Sequence, residues 1–217
     1  LARQGIHLDK KAVGRIAEQL GTEMLVWRQR ELLAWRTGQL PAGNEFAGRR
    51  VVVQIDGGRI RLREKRKGRQ KQRRRKGERQ KFDTPWREPK VLTIFEIDKH
   101  GKMTRKDRQP LIDGTLLGPD HLAELVAYHL HRLGVAQAEL VVFVSDGARW
   151  IWDRWDWIEQ RAGLDPSRTV RVLDFCHAAH HVSLALQTLG WGDKERQEAY
   201  VRLRKLLKAS RWEEIVD

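Results

Sequence analysis

The stretch Val51-Val-Val-Gln-Ile-Asp56-Gly-Gly-Arg-Ile60 decides how the rest of the chain is read. Val51, Val52, Val53 and Ile55 are β-branched, and a short run of such residues favours a pleated strand buried on both faces. The run delivers one carboxylate, Asp56, and stops at two glycines. Leu140-Val-Val-Phe-Val-Ser-Asp146-Gly147 repeats the design about ninety residues on. A carboxylate at the end of a buried strand, with glycine letting the backbone turn away, is how an α/β sheet presents a metal ligand at its edge. An Asp-Gly pair is also an ordinary turn signal, and at this level both readings stand.

Working back from Arg50, the spacing of Leu8, Ala12, Val13, Ile16, Ala17 and Leu20 predicts a helix that Gly21 stops. Thr22 then caps a second helix, Glu23 to Arg36. Ala12-Val-Gly-Arg-Ile-Ala-Glu-Gln-Leu-Gly21 resembles the first helix and turn of a helix-turn-helix, and a plain helical hairpin explains the same spacing. Residues 1–40 therefore read as a helical N-terminal region, and Gln39-Leu-Pro-Ala-Gly-Asn44 as a linker.

Working forward, Arg59-Ile-Arg-Leu-Arg-Glu64 alternates with period two and Lys90-Val-Leu-Thr-Ile-Phe-Glu-Ile97 is a further strand. Together with Val51 to Asp56 they predict a three-stranded antiparallel meander, with the intervening loop extending a hairpin tip. Pro119 and Asp120 open a helix to Leu133, whose apolar face is Leu122, Leu125, Val126, Leu130 and Leu133. Leu140 to Ser145 is the fourth strand, Ala148 to Arg161 a helix and Thr169 to Asp174 the fifth strand. Helices near His177 to Leu189 and Lys194 to Ala209 follow. Three strands, a helix, a strand, a helix and a strand is the order of the ribonuclease H-like fold, which sets its first and fourth strands side by side. The expected class is α/β, with a mixed five-stranded sheet over residues 50–175.

The chain has 217 residues and a net charge of +14. Between Arg61 and Lys81 lie 13 Lys and Arg against Glu64 and Glu78, so this segment alone carries +11. Such density repels itself into an extended loop and attracts polyanions, nucleic-acid phosphate first among them. Arg66, Lys67, Arg69, Lys71, Arg73, Arg74, Arg75 and Lys76 are the candidate DNA-binding residues; the plainer reading is a solvated loop. A single cysteine, Cys176, excludes an internal disulfide framework and a Cys-x-x-Cys motif, which suits the cytoplasm. No apolar run is long enough for a membrane span. The chain begins at Leu1 and stops within a helical pattern at Trp212-Glu-Glu-Ile-Val-Asp217, which reads as a fragment.

Two carboxylates on neighbouring strands repel, and Mg²⁺ is what stabilises both as anions. Phosphodiester chemistry uses such an arrangement, which fits a basic DNA-binding loop. In Asp174-Phe-Cys-His177, Asp174 is either the N-cap of the next helix or one of a pair with His177 placed beside the catalytic carboxylates; the two are compatible. Cys176, His177, His180 and His181 also suggest zinc, without a second ligand pair. Glu124 lies opposite the apolar stripe of its helix and reads as solvated. Trp150 and Trp155 read as core, and Trp152 and Trp157 as core or as stacking platforms for unpaired bases.

Ile55-Asp56-Gly57, then Val144-Ser-Asp146-Gly-Ala148 with Trp150-Ile151 just after, then Leu173-Asp174-Phe-Cys-His177 resemble the catalytic core of bacterial insertion-sequence transposases related to the Mutator-like DDE group. In that group the first Asp ends strand one, the second follows strand four, and an Asp-or-Cys-x-x-His motif follows strand five. The resemblance covers about Arg50 to Gly190. It implies Mg²⁺ (or Mn²⁺ as substitute) held by Asp56 and Asp146, with His177 and Asp174 in the catalytic set. It also implies transposon-end and target DNA as partners, a homo-oligomer, and the bacterial cytoplasm, in association with the nucleoid. The group's third ligand is a Glu beyond a helical insertion; residues 176–217 read as the start of that insertion, so the third carboxylate is expected outside the fragment, leaving it inactive alone. A ribonuclease H-like nuclease and a non-catalytic basic DNA-binding module are the other readings.

Overall fold

The computed structural model describes residues 9–65, 82–104, 109–211 and 213–216. Helix α1 spans Lys10–Arg36, with Asp9 capping it through Ala12 N. It runs straight through Gly21, so the helix-turn-helix expectation is overturned. A glycine inside a helix costs only about 1 kcal/mol, and Thr22 bonds back to the Glu18 carbonyl instead of opening a new helix. Only the C-terminal part of α1 reaches the core, through Leu32 and Trp35.

The central sheet joins β1 (Arg50–Gly57), β6 (Lys90–Ile97), β7 (Leu111–Thr115), β8 (Leu140–Ser145) and β9 (Thr169–Leu173) in the order β7-β6-β1-β8-β9. The β1–β6 and β6–β7 pairs are antiparallel, and β1–β8 and β8–β9 are parallel. The molecule is thus α/β with a mixed five-stranded sheet. The composition of its meander differs from the expectation, because Arg59 to Glu64 is not a sheet strand. Instead β2 (Ile60–Arg61) pairs with β5 (Trp86–Arg87), and β3 (Glu64–Lys65) with β4 (Phe82–Asp83). These short strands run as a ribbon out of the end of β1 toward the basic segment. The third sheet strand is β7, Leu-Ile-Asp-Gly-Thr, which carries an ordinary turn signal, Asp-Gly, in its middle. Gly114 sits there because a Cβ would come within 2.7 Å of the Lys90 carbonyl on the neighbouring strand.

One sheet face carries Val51, Val53, Ile55, Leu92, Ile94, Val141 and Phe143, all buried. Against it pack helix α2 (Pro119–Arg132), through Leu122, Leu125, Val126 and Leu130, and the pair α3 (Arg149–Trp152) and α4 (Trp155–Ala162). Phe143 of β8 stacks on Trp155 with ring centroids 4.1 Å apart. The single helix expected over Ala148 to Arg161 is broken at Asp153 and Arg154, so Trp155 enters the core while Trp157 stays exposed. The opposite sheet face is more open, with Val91, Ile112, Val170 and Val172 exposed. Helices α5 (Phe175–Gln187) and α6 (Asp193–Lys208) pack on each other, and a short α7 (Glu213–Val216) follows. Among the described residues, no helix is long and apolar enough to cross a membrane.

Candidate active site

The parallel registers fix where the carboxylates fall. Ile55 stands opposite Ser145 and Ser145 opposite Leu173. The next residue on each strand is therefore Asp56, Asp146 and Asp174, side by side along the carboxyl edge of β1, β8 and β9. That edge is where ligands bind in sheets of this kind. The three acids line one cavity of about 290 Å³ together with Gln54, Ile55, Ser145, Cys176, His177 and His180. The sequence names Asp56, Asp146, Asp174 and His177 as catalytic candidates and Cys176 and His180 only as possible zinc ligands, and gives Gln54 no role. Gln54 carried a signal, since a polar residue two before Asp56 in an apolar strand shares its face.

Each acid has one oxygen engaged by backbone. Gly57 N donates to Asp56 Oδ1 at 2.7 Å and Ala148 N to Asp146 Oδ1 at 3.0 Å. No Lys, Arg or His among the described residues forms an ion pair with Asp56 or Asp146. Asp174 accepts from His177 N at 3.0 Å, the N-cap geometry of α5, and its own amide donates to Ser145 O at 2.7 Å. The capping role of Asp174 thus holds, and it places His177 on the first turn over the cavity. The His177 ring is exposed and leans on His181, with centroids 4.9 Å apart. Ser145 is 2% exposed, and its Oγ has no hydrogen-bond partner among the described residues.

Two hard oxygen donors at one cavity edge suit Mg²⁺, which keeps several waters and takes only one or two protein carboxylates. Adjacent strands lie ~4.8 Å apart, so Asp174, two strands from Asp56, is offset from the pair. Among the described residues, no three of His, Cys, Asp and Glu are grouped closely enough to hold a metal on their own. Glu195 is turned to Gly192 N in the cap of α6, and Glu198 faces a separate cavity on that helix. The candidate DNA-binding residues Arg66, Lys67, Arg69, Lys71, Arg73, Arg74, Arg75 and Lys76 lie outside the described residues. The ribbon leading to them is cationic: Arg59 and Arg61 lie over the Trp86 ring and Arg63 over Phe82, at 5.5, 4.9 and 4.3 Å.

Other acids are spent elsewhere. Glu124, expected to be solvated, is paired to Arg36 of α1. That guanidinium, with its hydrogen bonds the largest cause, holds Glu124 below the usual carboxylate range. Asp113 of β7 bridges Arg28 of α1 and His129 of α2, with His129 Nε2 at 2.8 Å from Oδ2. Burial pushes Asp113 upward, but His129, the Gly114 amide and Arg28 outweigh it and leave the carboxyl below its ordinary value. Burial lowers the His129 pKa, against the pull of Asp113. Tyr128 donates to Glu31, and burial first, then this bond, raises its pKa. These contacts dock α1 on α2 and the β7 edge, away from the strand ends.

Around Asp146, Trp152 Nε1 donates to the Asp146 carbonyl at 2.7 Å. Trp152 therefore braces the acid loop instead of offering a stacking surface, while Trp150 is half-buried beside it. No protein-family model, curated protein or solved structure matches this chain.

Proposed function

We propose that this protein is the catalytic part of a DDE-type transposase with a ribonuclease H-like core, acting on DNA phosphodiesters. One observation carries the reading: Asp56 and Asp146 end adjacent parallel strands at one cavity, and no cation among the described residues pairs with them. The strand order β7-β6-β1-β8-β9, three antiparallel strands continued by two parallel ones, is the arrangement expected of that core. The cationic ribbon rooted next to Asp56 supplies the attraction that an acidic cavity cannot offer a polyanion.

Each residue then has a task. Asp56 and Asp146 would hold Mg²⁺ or Mn²⁺, which when bound neutralises the acid pair and stabilises charge developing on the phosphoryl oxygens. Asp174 fixes the first turn of α5, and His177 from that turn meets the scissile phosphate or carries a proton to or from it. Trp152 fixes the loop after β8 by its bond to the Asp146 carbonyl. The attacking group is water for cleavage and a DNA 3′-hydroxyl for joining, displacing the leaving oxygen at phosphorus without a covalent enzyme intermediate.

The experiment is metal-dependent nicking and strand joining by the full-length gene product, with Asp56→Asn and Asp146→Asn as paired variants. Both substitutions should abolish the reaction and leave DNA binding intact, since each removes a ligand oxygen without changing volume. Cleavage at the unsubstituted rate in either variant refutes the assignment. Cleavage without joining would place the protein with nucleases of the same architecture.

A further inference from the structure

A second cavity, of about 260 Å³, lies on the other side of Asp146, lined by Gly57, Gly58, Arg59, Glu88, Lys90, Asp146 and Trp150. It is not part of the acid row: Lys90 opens β6 opposite Gly57, on the helix-covered side of the sheet. Lys90 is a cation where the fold otherwise buries apolar groups, only 7% exposed. Its surroundings satisfy it poorly. The ammonium reaches only the Glu88 carbonyl at 3.5 Å and the Glu88 carboxylate at 3.6 Å, and that carboxylate is itself mostly exposed. Its remaining neighbour is the Trp150 ring, with Nζ 5.5 Å from the centroid. An ammonium has three protons to donate, and with one carboxylate and one carbonyl, both at long range, Lys90 keeps donor capacity for a further acceptor.

Trp150 supplies a flat apolar wall. Glycine at 57 lets the ring lie close to the strand end, since a Cβ there would approach Trp150 Cζ2 to 3.3 Å, a tight contact. Arg59, exposed at the rim, forms no ion pair with a described residue. The cavity thus combines a buried cation, a second cation at its mouth, two carboxylates (Glu88 and Asp146), a half-buried indole and two glycines with no side chains to block approach. It is smaller than the ~300–1,000 Å³ of drug-sized pockets, which suits a single nucleotide unit. It also shares Asp146 with the acid cavity, so a strand crossing the sheet edge would pass from one to the other.

We infer that this cavity binds one nucleotide of a DNA strand next to the phosphate held at Asp56 and Asp146, with Lys90 on the phosphate and Trp150 against the base. The inference rests on the proposed function for its substrate, but its test does not need catalysis. Residues 1–217 would be titrated with labelled single-stranded DNA in EDTA, at salt high enough to suppress non-specific contacts. Trp150→Ala should weaken binding roughly 5- to 150-fold, the worth of one stacked base, and Trp150→Phe should retain most of the affinity. Lys90→Met should flatten the log–log salt dependence by about 0.7, the share of one neutralised single-strand phosphate. Asp56→Asn should leave this metal-free binding no weaker, so that failure of the acid-pair reading and failure of the nucleotide site give different results.

Thermal unfolding by circular dichroism identifies the variants that remain folded. Folded Trp150→Ala and Lys90→Met proteins that bind with unchanged affinity and slope overturn the site. An equal loss of binding to heparin, which has no bases, overturns the nucleotide and leaves only charge. Should Trp150→Ala fail to fold, the unsubstituted protein answers: photocrosslinking to 5-iodouracil-substituted DNA should place an adduct on Trp150, and adducts confined to other peptides overturn the inference.

Discussion

Where α1 meets α2 and β7, each carboxylate is answered: Asp113 by Arg28 and His129, Glu31 by Tyr128, Glu124 by Arg36. At the carboxyl edge of the sheet, Asp56 and Asp146 share a cavity with backbone amides on one oxygen each and no cationic partner among the described residues. Both regions hold acids that the fold positions firmly, and they differ in what the acids are for. A paired acid in a partly buried place holds two elements together, because removing one partner strands the other's charge. An unpaired pair of acids at a strand edge contributes repulsion, which folding alone does not reward. Unanswered charge, more than the presence of Asp, separates the candidate site from the scaffold.

The largest effect expected from this contrast is on DNA binding. Acids at the strand ends repel phosphate, so attraction must come from the basic segment, and deleting residues 65–81 should weaken binding to all DNA sequences alike. The log–log slope against salt should fall by ~0.9 for each duplex phosphate that the basic segment neutralises, measured by anisotropy at several salt concentrations. Asp113→Asn should leave that slope untouched. An unchanged slope in the deletion would remove the reason for linking ribbon and cavity.

Next in size is stability. Asp113→Asn removes the charge facing Arg28, whose side chain is 13% exposed and keeps a bond to the Gly114 carbonyl, and should cost roughly 3 kcal/mol in urea unfolding. Asp56→Asn and Asp146→Asn should fall within about 0.5 kcal/mol of the parent or stabilise it, as substitutions away from buried networks do. If the strand-edge variants lose as much as Asp113→Asn, the two regions are alike and the contrast collapses.

The pH dependence is smaller and sharper. His129 is held neutral by burial, its pKa below the ordinary value, so the unfolded chain takes up that proton first. Stability is then complete above the ordinary histidine range and falls as pH drops through ~6.5. Asp113, held low, adds a second fall only as pH drops through the carboxylate range, where the unfolded chain is protonated first. His129→Asn should shrink the first fall to the part contributed by His121, whose pKa burial also lowers, and keep the second in melting curves between about pH 7.5 and 3.5; a first fall of unchanged size would assign it to groups other than His129.

Much of this architecture is legible in the residues. The β-branched runs of β1, β6 and β8 and the apolar stripe of α2 give their elements directly, and Asp-Gly at two strand ends marks the carboxylates. The failures have physical causes. β7 goes unassigned because it is short and carries a turn signal, Asp-Gly, in its middle, where Gly114 in fact lets the Lys90 carbonyl approach. Gly21 reads as a stop, yet a single glycine is too small a penalty to break a helix of 27 residues. Glu124 reads as solvated because its partner, Arg36, is 88 residues away in sequence. Lys90 is read only as the first residue of a strand, and nothing in that pattern shows that Trp150, brought over the strand end by α3, lies against it. Local pattern gives elements and their ends; which charges meet is decided by packing across the sheet.

The central claim is that Asp56 and Asp146 hold a divalent metal together, and the most direct measurement is to locate that metal on the chain. With Fe²⁺ in place of Mg²⁺, ascorbate and peroxide generate hydroxyl radicals that cut the backbone beside the ion, and mass spectrometry maps the cuts. Cuts should cluster around Asp56 and Gly57, Asp146 and Gly147, and the turn from Asp174 to His177, be competed away by excess Mg²⁺, and vanish in Asp146→Asn. Cuts around Asp113, cuts confined to the histidines of α5, or a pattern that survives in Asp146→Asn would contradict the account.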